Sequence, residues 1–272
     1  MSVQHRNNVN VLGDGPATLV FSHGFGCDQT MWCYLVDHFT NRFRVVLYDL
    51  VGAGQSDLTT YDSEKYGSLD GYAQDLAEVI NEFASGPVIV VGHSVSAMIG
   101  VLADRAHSDR IAAHVMIGPS PCYVDSGDYV GGFKLEDIHS LLDTLDSNYL
   151  GWSSTMAPVI MGAPGQPALG EKLTNSFCRT DPEIAKQFAR VTFMSDNRDD
   201  VVGLETPTLI LQSTDDIIAP VAVGEYLHQI LPNSTLCLVS NVGHCPHMSV
   251  PSACSEAMDS FLSLWTEGGD GR

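Results

Sequence analysis

The chain has 272 residues, a hydrophobic content of 44% and a formal net charge of −20. This length is enough for one large α/β domain or two small ones, and the composition is that of an ordinary soluble globular protein. The acidic balance argues against nucleic acid and anionic membrane surfaces as partners, because both carry negative charge. No apolar run approaches the roughly 20 residues that a membrane-spanning helix needs.

The N-terminal residues and the cysteines indicate a location. The first eight residues contain no apolar segment of the kind found in signal peptides, so we expect no secretion signal. The seven cysteines are odd in number and include no C-x-x-C pair. We therefore expect free thiols in a reducing cytoplasm.

Strands and helices alternate along the first 118 residues. Runs of β-branched and apolar residues predict strands, and apolar residues spaced three or four apart predict helices. In chain order the predicted elements are an edge strand at Val9 and Val11, a strand at 18–22, a helix at 28–39, a strand at 44–49, a helix at 69–83, a strand at 88–91 with a helix after it, and a strand at 114–118. This alternation predicts a mostly parallel, twisted sheet with helices on both faces.

Residues 120–196 interrupt this alternation. They contain three or four helical stretches with apolar stripes and no convincing strand. After them the predicted elements are a strand at 207–213, a helix at 221–231, a strand at 235–239 and a helix at 252–265. We therefore predict three parts, namely an α/β core at residues 1–119 and 196–266, a helical cap inserted at residues 120–195, and a disordered tail at residues 267–272.

Ser94 lies in the sequence Gly92-His93-Ser94-Val95-Ser96, which joins a buried strand to a helix. A serine at such a sharp turn is held on a strained backbone, with its hydroxyl exposed at the carboxyl end of the sheet. The usual pattern is G-x-S-x-G, and here serine replaces the last glycine. Serine is still small enough for the helix and strand to pass close together. We predict that Ser94 is a nucleophile rather than only a helix N-cap.

A serine nucleophile needs a histidine base, and the base needs a carboxylate that orients it. In a sheet of this kind the acid and then the histidine follow the serine along the chain, each in a loop after a strand. The two last predicted strands are followed by Asp215-Asp216 and by His244, respectively. We predict His244 as the base. We favour Asp216 over Asp215 as the acid. Asp216 lies four residues before Pro220, and D-x-x-x-P is the usual pattern of this loop in such enzymes.

Other residues offer alternatives to this assignment. His247 is the nearest alternative to His244, but His244 follows its strand directly. The two histidines could suggest a metal pair, yet no further ligand cluster accompanies them, so we predict no metal and no cofactor. Gly52-Ala53-Gly54 resembles a dinucleotide-binding loop but lacks the third glycine, and we interpret it as a turn.

An oxyanion hole needs two backbone N–H groups aimed at the developing negative charge. We assign one to Val95, the residue after the nucleophile. The glycines of His23-Gly24-Phe25-Gly26 permit close approach of a second donor, which we assign to Phe25. We expect His23 itself to be a structural hydrogen-bonding residue.

Several motifs resemble one subfamily of α/β-hydrolases, which contains the RsbQ-type bacterial stress-signalling hydrolases and the plant karrikin and strigolactone receptors. They are GHSVSAMIG at 92–100, SHGFGCDQ at 22–29, LDGYAQDL at 69–76, GPSPCY at 118–123, DDIIAP at 215–220 and GHCPHMS at 243–249. The last three motifs are closer to the bacterial proteins, whereas the turn around Ser94 is more like the plant receptors. The similarity covers nearly the whole chain.

The resemblance implies an α/β-hydrolase fold, a Ser94–Asp216–His244 triad, oxyanion donors at Phe25 and Val95, and a V-shaped cap of four helices. It also implies an apolar pocket under the cap. The positions that match the family's pocket are Tyr123, Phe133, Trp152, Met156, Cys178 and Phe193. The plant receptors carry aromatic residues where Met156 and Cys178 stand, which argues against a fit for a plant-hormone-like ligand.

Two functions are compatible with these residues. The first is a serine hydrolase of the carboxylesterase or lactonase type, acting on a small, mostly apolar ester or lactone through an acyl-enzyme. The second is a slow-turnover sensor, in which a ligand under the cap changes the surface shown to a signalling protein, as the resemblance implies. Both need the triad. In either case we expect a monomer with a small-molecule partner and without nucleic acid or membrane.

Overall fold

The structure, a computed structural model, describes residues 2–107 and 110–266. Within them, seven strands form one sheet, namely β1 (Asn10–Leu12), β2 (Thr18–Ser22), β3 (Arg44–Leu47), β4 (Val88–His93), β5 (Ile111–Ile117), β6 (Thr208–Asp215) and β7 (Ser234–Val242). The order across the sheet is β1-β3-β2-β4-β5-β6-β7. The edge strand β1 pairs antiparallel with β3, and the other pairs are parallel. The predicted mostly parallel sheet is confirmed.

Helices connect these strands. The α-helices of the described residues are α1 (Val3–Arg6), α2 (Val36–Phe39), α3 (Leu69–Phe83), α4 (Val95–His107), α5 (Leu135–Ser147), α6 (Tyr149–Met161), α7 (Pro167–Arg179), α8 (Pro182–Phe193), α9 (Arg198–Val201), α10 (Val221–Ile230), α11 (Pro246–Ser249) and α12 (Pro251–Leu262). Short 3₁₀ helices lie at Gln29–Tyr34, Leu58–Thr60, Lys65–Gly67 and Ser263–Trp265. No helix in this part of the chain is long and apolar enough to cross a membrane.

The central strand β4 shows why the sheet is covered on both faces. Its residues are all buried, and successive side chains point to opposite faces. Ile89 and Val91 pack into one apolar cluster, whereas Val88 and Val90 pack into the other. A strand with both faces buried is apolar at every position rather than at alternate ones.

The largest difference from the predicted elements concerns residues 28–39. One helix was expected there, but the segment forms a 3₁₀ helix at Gln29–Tyr34 followed by the single turn α2. The carboxylate of Asp28 caps the first piece by accepting from the Thr30 N–H at 2.9 Å. Its apolar stripe is still buried against the sheet, because residues three apart also share a face of a 3₁₀ helix.

Four long helices, α5 to α8, lie between β5 and β6 in the chain and are followed by the single turn α9. Both α7 and α8 begin at proline, where a missing N–H costs the helix nothing. Apolar residues of all four helices share one cluster with residues of β4 and β5. The division into core and cap remains a prediction, and the tail predicted at residues 267–272 lies outside the described residues.

Candidate active site

Ser94 occupies the turn between β4 and α4 and has φ +56°. A non-glycine residue in this left-handed region is uncommon and strained, and such residues cluster at functional sites. The turn is tied to the sheet because the Ser94 N–H donates to the Ile117 carbonyl at 2.8 Å. The Ser94 side chain therefore projects from the carboxyl edge of the sheet at a fixed place.

Small residues on either side make this turn sterically allowed. A Cβ on Gly92 would lie 2.6 Å from the Ser96 carbonyl oxygen, and one on Gly24 would lie 2.6 Å from His93 Nδ1. Ser96, which replaces the last glycine of the usual pattern, is fully buried and its Oγ donates to the His23 carbonyl at 2.5 Å. The serine thus ties the turn to the loop after β2.

His244 bridges the other two residues of the predicted triad. Its Nε2 lies 2.8 Å from Ser94 Oγ, and its Nδ1 lies 2.7 Å from Asp216 Oδ2. All three side chains are buried. Because the carboxylate can only accept, Nδ1 carries the proton and Nε2 is free to accept from the serine hydroxyl.

The structure brings Asp216, and not Asp215, to His244. Asp215 is exposed, whereas the Asp216 side chain is buried and its Oδ1 accepts from the Ile218 N–H at 2.8 Å and the Ala219 N–H at 3.1 Å. Burial opposes ionisation of Asp216, but His244 and these hydrogen bonds outweigh it and hold the pKa of the carboxyl below its ordinary value. Asp216 is therefore a carboxylate at neutral pH.

Two backbone N–H groups near Ser94, those of Val95 and Phe25, are available to donate hydrogen bonds to a negatively charged oxygen. Val95 is the first residue of α4, where an N–H has no partner inside the helix. Phe25 lies in the loop after β2. In the described part of the chain neither N–H donates to another protein group. The neighbouring His23 accepts from the Leu50 N–H at 3.1 Å, which is the structural role expected for it.

Three aromatic side chains, those of His93, His247 and Trp32, pack together beside His244. His93 Nε2 donates to the His244 carbonyl at 2.9 Å, and the ring of His93 packs on those of His244 and His247. Burial, with the nearby His244, lowers the pKa of His93 to about 3 and that of His247 well below its ordinary value. Trp32 packs on His247 with ring centroids 4.7 Å apart. The described residues contain no cluster that could hold a metal ion.

A small cavity of ≈ 30 Å³ lies beside Ser94. That volume accommodates about one or two water molecules, whereas ligand pockets usually measure about 300–1,000 Å³. The cavity is lined by Phe25, Cys27, His93, Ser94, Tyr123, Ile160, Leu173, Phe177, Thr192, Phe193, Ile218, His244 and Cys245. A substrate can therefore enter only when side chains of the lining move.

Of the six predicted pocket residues, the structure places Tyr123 and Phe193 on the cavity. The other four, Phe133, Trp152, Met156 and Cys178, do not line it. Instead, the residue before Cys178, Phe177, faces the cavity from α7, and Ile160 does so from α6, one turn beyond Met156. Trp152 packs behind Phe25 and Phe177. Which residue of a helix faces inward depends on how the helix is rotated, and the motifs do not specify that rotation.

Tyr123 also contacts the serine directly, a role that the sequence did not suggest. Its hydroxyl lies 3.3 Å from Ser94 Oγ, and burial raises its pKa to about 12. The tyrosine is therefore a neutral donor at neutral pH. The motif GPSPCY predicts Tyr123 as a pocket residue, but it does not predict this contact with Ser94.

Comparison with known proteins gives consistent matches over most of the chain. A family model described as "Alpha/beta hydrolase family" matches residues 19–257. The "Karrikin insensitive 2 receptor CA" of Petunia hybrida is 39% identical over 250 residues, which cover 92% of this chain and 93% of that protein. The "Strigolactone esterase D14" of Arabidopsis thaliana is 35% identical over 251 residues, with 92% and 93% covered. Among solved structures, olei00960, a hydrolase from Oleispira antarctica, has a TM-score of 0.91 at 41% identity and 96% coverage of both chains.

Proposed function

We propose that this chain, which belongs to the alpha/beta hydrolase family and has its fold, is a serine hydrolase of small, mostly apolar esters or lactones. The observation that carries the proposal is the continuous hydrogen-bond chain from Ser94 through His244 to Asp216, at a serine with positive φ. A buried serine, a histidine and an ionised carboxylate in that order are the parts that nucleophilic acyl transfer requires.

In the first half of the reaction, Ser94 Oγ attacks the carbonyl carbon and its proton passes to His244 Nε2. Asp216 stabilises the imidazolium that forms. The negative charge on the former carbonyl oxygen accepts hydrogen bonds from the N–H groups of Phe25 and Val95. Losing one such donor typically costs about 2.7–4 kcal/mol of transition-state stabilisation.

In the second half, the tetrahedral intermediate collapses and the alcohol leaves with the proton from His244. The product is an ester of Ser94. A water molecule then gives a proton to His244 and attacks this ester, and a second collapse releases the acid and returns the proton to Ser94 Oγ.

The lining of the cavity supports a small, mostly apolar substrate. Apart from the triad histidine and His93, which is held neutral by burial, the lining contains no ionisable group other than thiols and the tyrosine hydroxyl. Phe25 packs edge-to-face on Phe177 and on Phe193, with ring centroids 5.4 and 6.0 Å apart. A charged substrate would be desolvated there without a partner, which is unfavourable.

A second candidate function is that of a slow-turnover ligand sensor. Two observations favour it, namely the small cavity of ≈ 30 Å³ and the similarity to proteins named as karrikin receptors. A ligand that forces α6 to α8 apart would change the surface that these helices present. Under this proposal the chain is a cytoplasmic monomer of the RsbQ type that signals to a protein partner, and the motifs GPSPCY, DDIIAP and GHCPHMS support that relation.

The time course of p-nitrophenyl acetate and butyrate hydrolysis separates the two candidates. We expect Ser94→Ala to abolish hydrolysis in both cases. A stoichiometric burst followed by slow release supports the sensor, and rapid steady turnover supports the esterase. Wild-type rates in Ser94→Ala would contradict both.

A further inference from the structure

Thr192 carries a side-chain oxygen that forms no hydrogen bond with any other residue that the structure describes. Thr192 lies near the end of α8, is 1% exposed and lines the cavity beside Ser94. Its Oγ1 is buried and has no hydrogen-bond partner. An unsatisfied buried hydroxyl loses its hydration without compensation, so its presence calls for an explanation.

Most other hydroxyl residues of the same helices with a described hydrogen bond behave differently, although buried Ser153 of α6, which does not line the cavity, also has an Oγ without a partner among the described residues. Serine and threonine in a helix usually bond back to the carbonyl four residues earlier. The side chains that do so in α5 to α7 belong to Ser140, Thr144, Ser154, Thr155 and Thr174, at 2.8–3.0 Å. Thr192 makes no such bond to the Phe188 carbonyl. Its hydroxyl is therefore available to a molecule in the cavity.

Most of the other polar side-chain atoms around the cavity have partners; His93 Nδ1, a ring nitrogen that can accept but not donate while Nε2 carries the proton, is an exception among the described residues. Tyr123 Oη and His244 Nε2 contact Ser94 Oγ, and His93 Nε2 donates to the His244 carbonyl. Among the residues that line the cavity, Thr192 Oγ1 is the one side-chain oxygen without a partner. It sits on the α8 side of the cavity beside Phe193, among mostly apolar residues of α6 to α8, where a single hydrogen bond can orient a ligand.

We propose that Thr192 is a specificity-determining residue whose hydroxyl donates a hydrogen bond to a second oxygen of the substrate, separate from the ester being cleaved. The preferred substrates are therefore small esters or lactones that carry an ether, ring or carbonyl oxygen in their apolar part. This inference rests on the proposed hydrolase function, because it concerns the same cavity.

The test compares acyl chains that differ only in one oxygen. The second-order rate constant for acylation is measured for p-nitrophenyl valerate and hexanoate. It is also measured for their ether isosteres, in which an oxygen replaces one methylene beyond the α-carbon. A neutral hydrogen bond of ordinary strength predicts that at least one isostere is preferred about 3–10-fold over its hydrocarbon partner by the wild type. The preference should vanish in Thr192→Val and persist in Thr192→Ser.

Control variants make the result interpretable. Thr174→Val removes a hydroxyl that is bonded to Gly170 and does not line this cavity, and it should keep the preference. Thr192→Val should melt at or above the wild-type temperature, since it removes an unsatisfied group; Thr192→Ala serves if the valine variant does not fold. A wild type without preference for any ether, or a preference that survives in Thr192→Val, overturns the proposal. Hydrolysis that persists in Ser94→Ala would instead overturn the proposed function.

Discussion

Two regions meet at Ser94, and they are held together by different forces. At the carboxyl edge of the sheet, Ser94, His244 and Asp216 are joined by hydrogen bonds of 2.7–2.8 Å, and backbone N–H groups fix the carboxylate. Across the cavity, α6, α7 and α8 contribute mainly apolar and aromatic side chains that touch without directional bonds.

This difference indicates which region sets the chemistry and which sets the choice of substrate. Directional hydrogen bonds hold atoms at defined positions, as bond making and breaking require. Apolar packing defines a volume, and side chains can move to change it at modest cost. We therefore expect changes at the sheet edge to alter rates by orders of magnitude, and changes in the helices to alter substrate range several-fold.

The largest effect is expected at the carboxylate. Asp216→Asn should lower kcat by about 10⁴-fold, because the amide favours the wrong tautomer of His244 and does not stabilise the imidazolium. The measurement is steady-state hydrolysis of p-nitrophenyl butyrate. Asp215→Asn is the matched control, since Asp215 is exposed and one residue away, and it should retain nearly the wild-type rate. Equal losses in both variants would remove Asp216 from its assigned role.

The buried histidines beside the triad, His93 and His247, should make the stability of the protein sensitive to acid. In the folded protein the pKa of His93 is lowered from 6.5 to about 3. The unfolded chain therefore binds more protons between these values, so the stability contributed by neutral His93 is present above pH 6.5 and is lost as the pH falls toward 3. Between pH 7 and pH 5 we expect the free energy of unfolding to fall by about 2 kcal/mol from His93 alone, with a further share from His247.

Urea unfolding at the two pH values measures this loss. The pH-dependent part should shrink in His93→Asn and stay unchanged in His139→Asn, because His139 is exposed. If both variants keep the full dependence, His93 is not the group that titrates.

A smaller effect is expected at Ser96, which ties the turn of Ser94 to the loop that carries the Phe25 N–H. Ser96→Ala leaves the buried His23 carbonyl without its donor and should destabilise the protein by about 1–3 kcal/mol. It should also lower kcat several-fold, because the two oxyanion donors lose their link. Thermal melts and kcat are measured together.

Ser255→Ala provides the comparison for this variant. Ser255 is also buried and donates to a carbonyl, that of Ser252, but it lies in α12. It should lower the melting temperature without lowering kcat. A loss of kcat in both variants would mean that the effect is one of stability only.

The smallest effect is expected in the helices, as a change in selectivity. Phe177→Leu should enlarge the cavity and raise kcat/KM for p-nitrophenyl hexanoate relative to the acetate about 3–5-fold, at a stability cost typical of a buried large-to-small change. The neighbouring Cys178→Ala should leave the ratio unchanged, because Cys178 does not line the cavity. The reverse pattern would mean that Cys178, as predicted from the motifs, is the pocket residue.

The same two regions differ in how far the sequence predicts them. Ser94, Asp216 and His244 each follow a strand within a few residues, so local pattern and chain order were enough to place them together. Even the choice between Asp215 and Asp216 agrees with the observed contacts, since one faces solvent and the other His244.

The helices were predicted less well, for a physical reason. Their apolar stripes predict that they are helices and which side is buried, but a buried side can face the cavity or a neighbouring helix. Phe177 and Cys178 are adjacent in the chain, and tertiary packing decides which of them reaches the cavity. The sequence likewise does not indicate that the Thr192 hydroxyl lacks a partner. Whether a helical threonine bonds back to its own helix depends on its side-chain rotamer and packing.

The most direct test of the proposed hydrolase mechanism is to locate the acyl group itself. Wild-type protein is mixed with p-nitrophenyl butyrate, quenched in acid during the first turnover and digested, and the modified peptide is identified by mass spectrometry. We predict that the butyryl group is on Ser94 and is absent from Ser94→Ala. A butyryl group on Cys27 or Cys245, the two thiols that line the same cavity, or on no residue at all, would contradict nucleophilic catalysis by Ser94.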